Sequence, residues 1–408
     1  MVEDQNNLSF SIGRYSGDVQ RTLAALEAND VLARIWAKDH TIWKSDPSEI
    51  NNRLGWLNIS EEMLENVQSL ENYSLEIRKA GYRHIVLLGM GGSSLTPEVI
   101  RLTFQANEGY PELIVLDTTV PESIQRIKNM INPKTTLFIV SSKSGTTLET
   151  MSNYRYWRKI VETDIGKDKA GQNFIAITDK GSPLEKLGAQ HGFSRIFLNN
   201  VEVGGRYSPF SYFGLLPAAL IGTDIKQLLS RANTIRNRSD LLLGAVIGTL
   251  NQNGHDKLTI VASPNIRSLG LWIEQLVAES TGKEGKGVIP VNYEPSVNPE
   301  HYGNDRLFVY LRLEGDQNQE TDDAMTNIKS AGQSLIQINL DDKLDIGTEF
   351  FRWQFATAVT AAIIGVHPFD QPHVDLTKSE TEEILQSGKL PDINTDTSLR
   401  EMLDKSVP

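Results

Sequence analysis

Apolar residues along this chain recur in two alternating rhythms. From Arg83 onward, short apolar runs are each closed by a Gly, Ser or Asp turn: His84–Leu88, Leu113–Leu116, Thr136–Val140, Phe174–Ile177 and Ile196–Leu198. Between them Thr96–Phe104, Pro121–Met130, Thr146–Val161 and Pro183–His191 repeat apolar positions at helical spacing. Short runs bounded by turn residues are strand signals, and their alternation with helices predicts a parallel sheet covered on both faces. A helical, polar stretch from Gly222 to Asp240 interrupts the pattern, which then restarts. Leu258–Ala262, Gly287–Val291, Leu307–Leu311 and Leu335–Ile338 read as strands, and Ile266–Ser280, Asp322–Ala331 and Thr348–Ile364 as helices. The first sixty residues carry no strand signal. Asp18 to Lys38 repeats Leu23, Leu26, Val31, Leu32, Ile35 and Trp36 at helical spacing, and Trp43, Pro47 and Trp56 predict a packed extension. The expected organisation is an N-terminal helical arm over 1–62, a first α/β domain over 63–224, and a second, with C-terminal helices, over 225–408.

Length agrees with this division, since 408 residues exceed what one hydrophobic core normally serves. Composition narrows the chemistry. The 52 acidic residues outnumber 40 basic ones, leaving −12, which argues against a general nucleic-acid binder. With no cysteine there can be no disulfide, thiolate zinc site or cysteine nucleophile. The start, MVEDQNNLSFS, is not a signal peptide, and the most apolar stretch, Phe355 to Val366, is too short to span a membrane. A soluble, cytoplasmic protein is expected.

Five segments carry candidate chemistry. In HIVLLGMGGSSLTPEVI a strand meets a glycine turn and a helix; Gly89, Gly91 and Gly92 permit close approach to backbone amides. Ser93 and Ser94 can cap the helix, and Pro97 falls in its expected first turn. The string lacks the third glycine of the dinucleotide fingerprint and a Walker lysine, and a ligand-free turn is equally compatible with it. In TTLFIVSSKSGTTLETM the turn gathers Ser142, Ser144, Thr146 and Thr147 around Lys143 and Gly145. Hydroxyls, helix-terminal amides and a lysine make a cradle for a phosphate monoester; N-capping would account for only one or two hydroxyls. Gly204-Gly205-Arg206-Tyr207-Ser208 offers a guanidinium beside paired glycines, for a ligand or a structural ion pair. Gln275 and Glu279 lie one helical turn apart in QLVAESTGK; locally, Glu279 reads as a solvated helix end or a general base. Finally, GVHPFDQPHVDLTK carries Lys378, by itself a surface lysine.

Taken in order, these segments resemble glucose-6-phosphate isomerase, a family built from two tandem SIS (sugar isomerase) domains, each a parallel sheet flanked by helices. The glycine turn is similar to the family's GxGGS, the hydroxyl loop to SKTxTTxET, and GGRYS, ES-x-GK and FDQ-x-x-V-[DE]-x-x-K match almost literally over about residues 80 to 380. The arm string ARIWAKDHTIWK resembles most the isomerase half of bacterial transaldolase–isomerase fusions.

The resemblance implies a reaction and its residues. Ser142, Lys143, Ser144 and Thr147 would hold the phosphate, while Gly92 and Ser93 touch the sugar and Gln275 helps to place it. Glu279 would carry the proton between C1 and C2, Arg206 would stabilise the enediolate, and Lys378 would assist ring opening. No metal or cofactor is implied. A homodimer is, because the family takes a ring-opening histidine from the neighbouring subunit. That histidine's GQHAF-like segment corresponds here to His301-Tyr302-Gly303-Asn304-Asp305, with no histidine after the glycine. His301 and His373 are the alternatives, and His367 replaces the family's asparagine before FDQ. Two other functions fit the same motifs. One is a dual phosphoglucose/phosphomannose isomerase; the other is a non-catalytic sugar-phosphate sensor, which would need the phosphate loop but not Glu279, Arg206 and Lys378 together.

Overall fold

A computed structural model describes residues 7–236, 241–295, 298–371, 379–381, 383–384 and 386–388. Met1–Phe369 form one compact unit and Asp370–Pro408 a second. In the second unit the described residues 379–381, 383–384 and 386–387 are helical. Lys378 and His373 lie outside the described residues.

Two five-stranded sheets organise the first unit. The strands are β1 (Leu8–Ser11), β2 (His84–Leu88), β3 (Glu112–Leu116), β4 (Thr136–Ser141), β5 (Phe174–Asp179), β6 (Arg195–Asn199), β7 (Lys257–Ala262), β8 (Ile289–Asn292), β9 (Arg306–Leu313) and β10 (Ser334–Leu340). One sheet has the order β3-β2-β4-β5-β6, every pair parallel. The other has the order β8-β7-β9-β10-β1, parallel except for β1, which pairs antiparallel with β10. The α/β class with parallel sheets and flanking helices is therefore the observed one. With β1 set aside, both sheets wind the same way, starting one strand in from an edge and reversing direction once. That duplication is invisible as a sequence repeat.

The continuous apolar runs follow from this placement. A parallel strand covered on both faces needs apolar residues at every position, and all six residues of β4 are buried. One core cluster joins the inner faces of both sheets, running from Ile85 and Ile139 through the intervening helices to Ile260 and Ile336. Smaller clusters cover the outer faces, around Phe138 and Trp157 on the first sheet and Phe308 and Met325 on the second. So residues 63–224 and 225–369 each hold a sheet but share one core. Among the helices of that core, Ile346–Ile364 is enclosed nearly all round and buries Phe350, Phe351, Trp353 and Phe355.

The arm differs from its expectation in one element. It packs helices as predicted, Ser16–Ala28 and Val31–Trp36, with Trp56 buried. Leu8–Ser11, however, is a strand, registered against Leu335–Ile338. Four residues reading L-S-F-S are too few for a periodicity signal; the exposed edge of β10 supplies the ladder partners. The arm thus completes the second sheet. No helix among the described residues is long and apolar enough to cross a membrane.

Candidate active site

Strand order selects where a ligand can sit. In the first sheet the order reverses between β2 and β4, the point at which sheets of this kind bind ligands beyond the carboxyl ends of their strands. The glycine turn follows β2 and the hydroxyl loop follows β4, so two of the candidate motifs flank that point. The corresponding point of the second sheet, after β7 and β9, is filled by its own side chains. There Ser263 Oγ donates to Asn318 Oδ1 at 2.6 Å and accepts from Leu313 N at 2.7 Å. Asn265 N and Nδ2 both donate to Asp316 at 2.8 Å. Of the two points, the first keeps its groups for something else.

The helix after the glycine turn begins earlier than expected, at Gly92 instead of Thr96. Ser93 and Ser94 consequently do not cap it. Ser93 Oγ donates to Met90 O at 2.8 Å and Ser94 Oγ to Gly91 O at 3.1 Å, stapling the turn to the helix. Pro97 lies inside the helix and leaves the carbonyl of Ser93 without its usual donor. Ser141 Oγ, at the end of β4, supplies one at 3.1 Å. The proline therefore ties the glycine turn to the hydroxyl loop's strand.

In the hydroxyl loop Ser142 Oγ lies 2.9 Å from Thr147 Oγ1 and accepts from Gly145 N at 3.1 Å. Ser144 Oγ lies 2.9 Å from Thr146 Oγ1 and accepts from Thr146 N at 3.2 Å. Thr147 stands at the N-cap of the Leu148–Ile165 helix, yet its hydroxyl makes no capping bond. The four hydroxyls thus pair two by two within the loop that leads into this helix, whose first amides have no partner inside it. Gly145 has φ +70°, and a Cβ there would lie 2.7 Å from Leu184 N, so the turn accepts only glycine. Lys143 turns away from the hydroxyls: its ammonium is bound by Asp179 and by Val201 O, the latter at 2.9 Å. Sequence reasoning missed Asp179, whose carboxyl is raised by burial and pulled back by Lys143. Lys143 thus anchors the loop to the ends of β5 and β6.

The other motifs converge on Arg206, which is 3% exposed. Nη1 donates to Glu279 Oε2 at 3.3 Å, Nε to Ser280 Oγ at 2.9 Å, and Nη2 to Pro368 O at 2.6 Å. Its own carbonyl accepts from Trp272 Nε1 at 3.1 Å. Gln275 Nε2 donates to the other carboxylate oxygen, Glu279 Oε1, at 2.9 Å. The Leu269–Thr281 helix carries Gln275, Glu279 and Ser280. Buried beside Ser280, Tyr207 has its phenol pushed up to about 12 by burial, so it stays protonated. Gln275 Oε1 is buried and makes no hydrogen bond. An acceptor left in this condition costs about 1–3 kcal/mol unless a ligand satisfies it.

The glycine turn closes the arrangement. A Cβ on Gly92 would lie 2.2 Å from Gly205 C and O, and one on Gly91, where φ is +55°, 2.9 Å from Gln275 Nε2. Two motifs more than a hundred residues apart thus meet backbone to backbone, and the first also meets the Gln275 side chain of a third, nearly two hundred residues on. The result is a part-exposed carboxylate held by a guanidinium and an amide, with hydroxyls and helix amides on the first sheet's loops. Such a group can accept and return a proton while the cation balances charge on a neighbouring oxygen.

His301 stands elsewhere. It ends the turn Pro299–His301 and lines a cavity of about 650 Å³ with Thr259, Glu294, Tyr302, Phe308 and Met325; Arg206, Gln275 and Glu279 are absent from that lining. Ser280, Trp272 and the Pro368 carbonyl were missed from sequence. Only the adjacency of Ser280 to Glu279 hinted at one of them.

Comparison with known proteins extends these observations. The family model for phosphoglucose isomerase matches residues 56–287, more than half of the chain. A probable glucose-6-phosphate isomerase of Methanococcus maripaludis is 27% identical over 397 residues, covering 85% of this chain and 87% of that protein. The glucose-6-phosphate isomerase of Mycoplasmopsis pulmonis is 26% identical, with 82% and 90% covered. Among solved structures, a hypothetical protein from Thermus thermophilus superposes with a TM-score of 0.79 at 23% identity, over 93% of this chain and 99% of that one. A glucose-6-phosphate isomerase from Chlamydia trachomatis gives 0.78 at 16% identity, over 97% and 91%. At those identities the structural likeness speaks for the fold alone. The matched span runs from Trp56 of the arm past the glycine turn, the hydroxyl loop, Arg206 and Glu279, and on that match the chain belongs to the phosphoglucose isomerase family.

Proposed function

We propose that this protein is an aldose–ketose isomerase that interconverts glucose 6-phosphate and fructose 6-phosphate. The observation that carries the reading is the Glu279 carboxylate, held by Arg206 Nη1 and Gln275 Nε2 against the glycine turn. The named activities of the curated relatives support the substrate pair.

In the mechanism the phosphate docks on Ser142, Ser144 and Thr147 and the first amides of the Leu148–Ile165 helix, fixing the sugar so that proton transfer is effectively unimolecular. Gly92 and Ser93 line the sugar, and Gln275 Oε1 accepts from one of its hydroxyls. Glu279 takes the C2 proton of the open-chain aldose, the electron pair forms the C1–C2 double bond of a cis-enediol, and the C1 carbonyl oxygen takes up the charge beside Arg206. The O2 proton passes to O1 and Glu279 returns its proton to C1, which gives the ketose. Electrons are only redistributed within the sugar, so the step needs no external oxidant or reductant. On the family resemblance Lys378 assists ring opening, with His373 as the partner acid or, since His301 lies away from Glu279 within its own chain, a His301 donated by a neighbouring copy. A cytoplasmic homodimer, akin to the isomerase half of transaldolase fusions, completes the assignment on the family resemblance.

The test is turnover of fructose 6-phosphate by the purified full chain, coupled to detection of glucose 6-phosphate, with deuterium wash-in at C2 in heavy water. Formation of C2-deuterated glucose 6-phosphate is expected; no turnover in either direction would reject the activity. The cradle has its own test. Ser144→Ala with Thr147→Ala should raise the Michaelis constant about tenfold or more and change kcat less, because bonds to a charged group contribute about 1.5–3 kcal/mol each. Unchanged affinity would remove these hydroxyls from the phosphate site.

A further inference from the structure

The buried side of Arg206 is held by a strap whose shape depends on a histidine. The Ile346–Ile364 helix stops at Gly365, which adopts a left-handed φ of 75°, and residues 365–369 follow as a strap that reaches the guanidinium through Pro368 O. Two main-chain oxygens of this strap accept from buried cations: Pro368 O from Arg206 Nη2 at 2.6 Å, and His367 O from Lys283 Nζ. His367 itself is 9% exposed.

Among the described residues, its ring makes two hydrogen bonds of opposite sense. Phe369 N–H donates to Nδ1 at 3.0 Å, so Nδ1 is the unprotonated nitrogen. Nε2 therefore carries the hydrogen and donates it to Ser48 O at 3.1 Å. The first bond joins a side chain to the backbone amide two residues on, as Asn and Asp do in an Asx turn. Pro368 sits between the two bonded residues, so this turn sets where its carbonyl points. The second bond ties the strap to the N-terminal arm. Lys44 Nζ reinforces that tie by donating to Gly365 O at 3.2 Å, and Trp43 packs edge-on against Phe369 at 5.1 Å.

We propose that His367 is a positioning residue for Arg206. In its Nε2–H form it fixes the Pro368 carbonyl that orients the guanidinium towards Glu279, and through Ser48 it makes the arm part of the active site's support. The Arg206–Glu279 contact, at 3.3 Å, is the longest of the three described bonds of that guanidinium, so it is sensitive to a small rotation. The inference rests on Arg206 serving the isomerisation.

The experiment compares full-length wild type, His367→Ala, His367→Asn and His367→Gln in the fructose 6-phosphate assay, with the ring nitrogens of the wild type read by ¹⁵N NMR without substrate. His367→Ala should lower kcat about tenfold and leave KM within about twofold, as expected of a misplaced charge-stabilising group. His367→Asn keeps an acceptor that can close the turn and should bring kcat back to within about threefold of wild type. Glutamine, one methylene longer, should not rescue, and stands in for alanine if that variant does not fold. Wild-type NMR should show Nδ1 unprotonated and Nε2 protonated. The positioning role is overturned by an active wild type beside an unimpaired His367→Ala or His367→Gln, by asparagine no better than these, or by a protonated Nδ1. A wild type inactive on fructose 6-phosphate would instead overturn the isomerase reading.

Discussion

Glu279→Gln should lower kcat by about a thousandfold, within the 10²–10⁴ span that a positioned acid–base group contributes. The substitution removes the proton acceptor while nearly conserving shape. Arg206 Nη1 can still donate to the new amide's oxygen. The amide's NH₂ would then face Gln275 Nε2, two donors opposed, but Gln275 has a buried oxygen with no hydrogen bond and can resolve the conflict by flipping its amide. The surroundings should therefore survive, and a sugar-phosphate inhibitor should bind within about threefold of its wild-type affinity, since only a transition-state interaction is lost. Steady-state turnover and calorimetry check the two halves. Turnover close to wild type would show that another group moves the proton; loss of inhibitor binding would show that Glu279 supports the site instead of acting in it.

The second large effect is expected from a single methyl group. Gly92→Ala would place a Cβ 2.2 Å from Gly205 C and O and 2.8 Å from Arg206 N, all backbone atoms that no rotamer change can move aside. Relief requires the two loops to part by about an ångström, a displacement that can cost about a hundredfold in rate when it separates reacting groups. Overpacking of this kind also costs about 1–3 kcal/mol of stability. A fall of about a hundredfold in kcat/KM with a lowered thermal midpoint is expected. Gly204→Ala is the control: its φ is −67° and an added Cβ meets nothing within 4 Å, so its thermal midpoint should not move. If Gly92→Ala keeps full activity and stability, the close approach of the two turns is not a working contact.

This contrast shows where the sequence was legible. GxGGS and GGRYS both read as glycine turns made for close approach. In the structure Gly92 carries the steric requirement, Gly204 meets nothing, and the two turns approach each other. Strand positions could be read because apolar runs bounded by turn residues reflect a local cause, burial on both faces of a parallel sheet. Thus β2 spans the expected His84–Leu88, while β4 and β9 extend past their expected ends by one and two residues. The start of the Gly92–Phe104 helix was misplaced because Pro97 was taken as a first-turn residue. A proline deeper in a helix is tolerated here because Ser141, more than forty residues on, occupies the carbonyl it frees.

By itself, the sequence determined nine of the ten described strands and most of the helices between them, that two α/β sheets follow an arm, and which residue types stand at the ends of β2 and β4. Those are properties of neighbouring residues: periodicity, turn chemistry and the presence of hydroxyls or glycine within one loop. Tertiary structure alone decided what these groups do together. Lys143 could have faced the hydroxyls but is held by Asp179, and Leu8–Ser11 of the arm could have been coil but complete a sheet edge. Glu279 shows the difference most plainly. Near the end of a helix, and about a third exposed, it is locally a solvated glutamate. Its meeting with Arg206, 73 residues earlier, depends on packing across a shared core, and no local pattern encodes a contact whose energy is gained only when the chain has closed on itself.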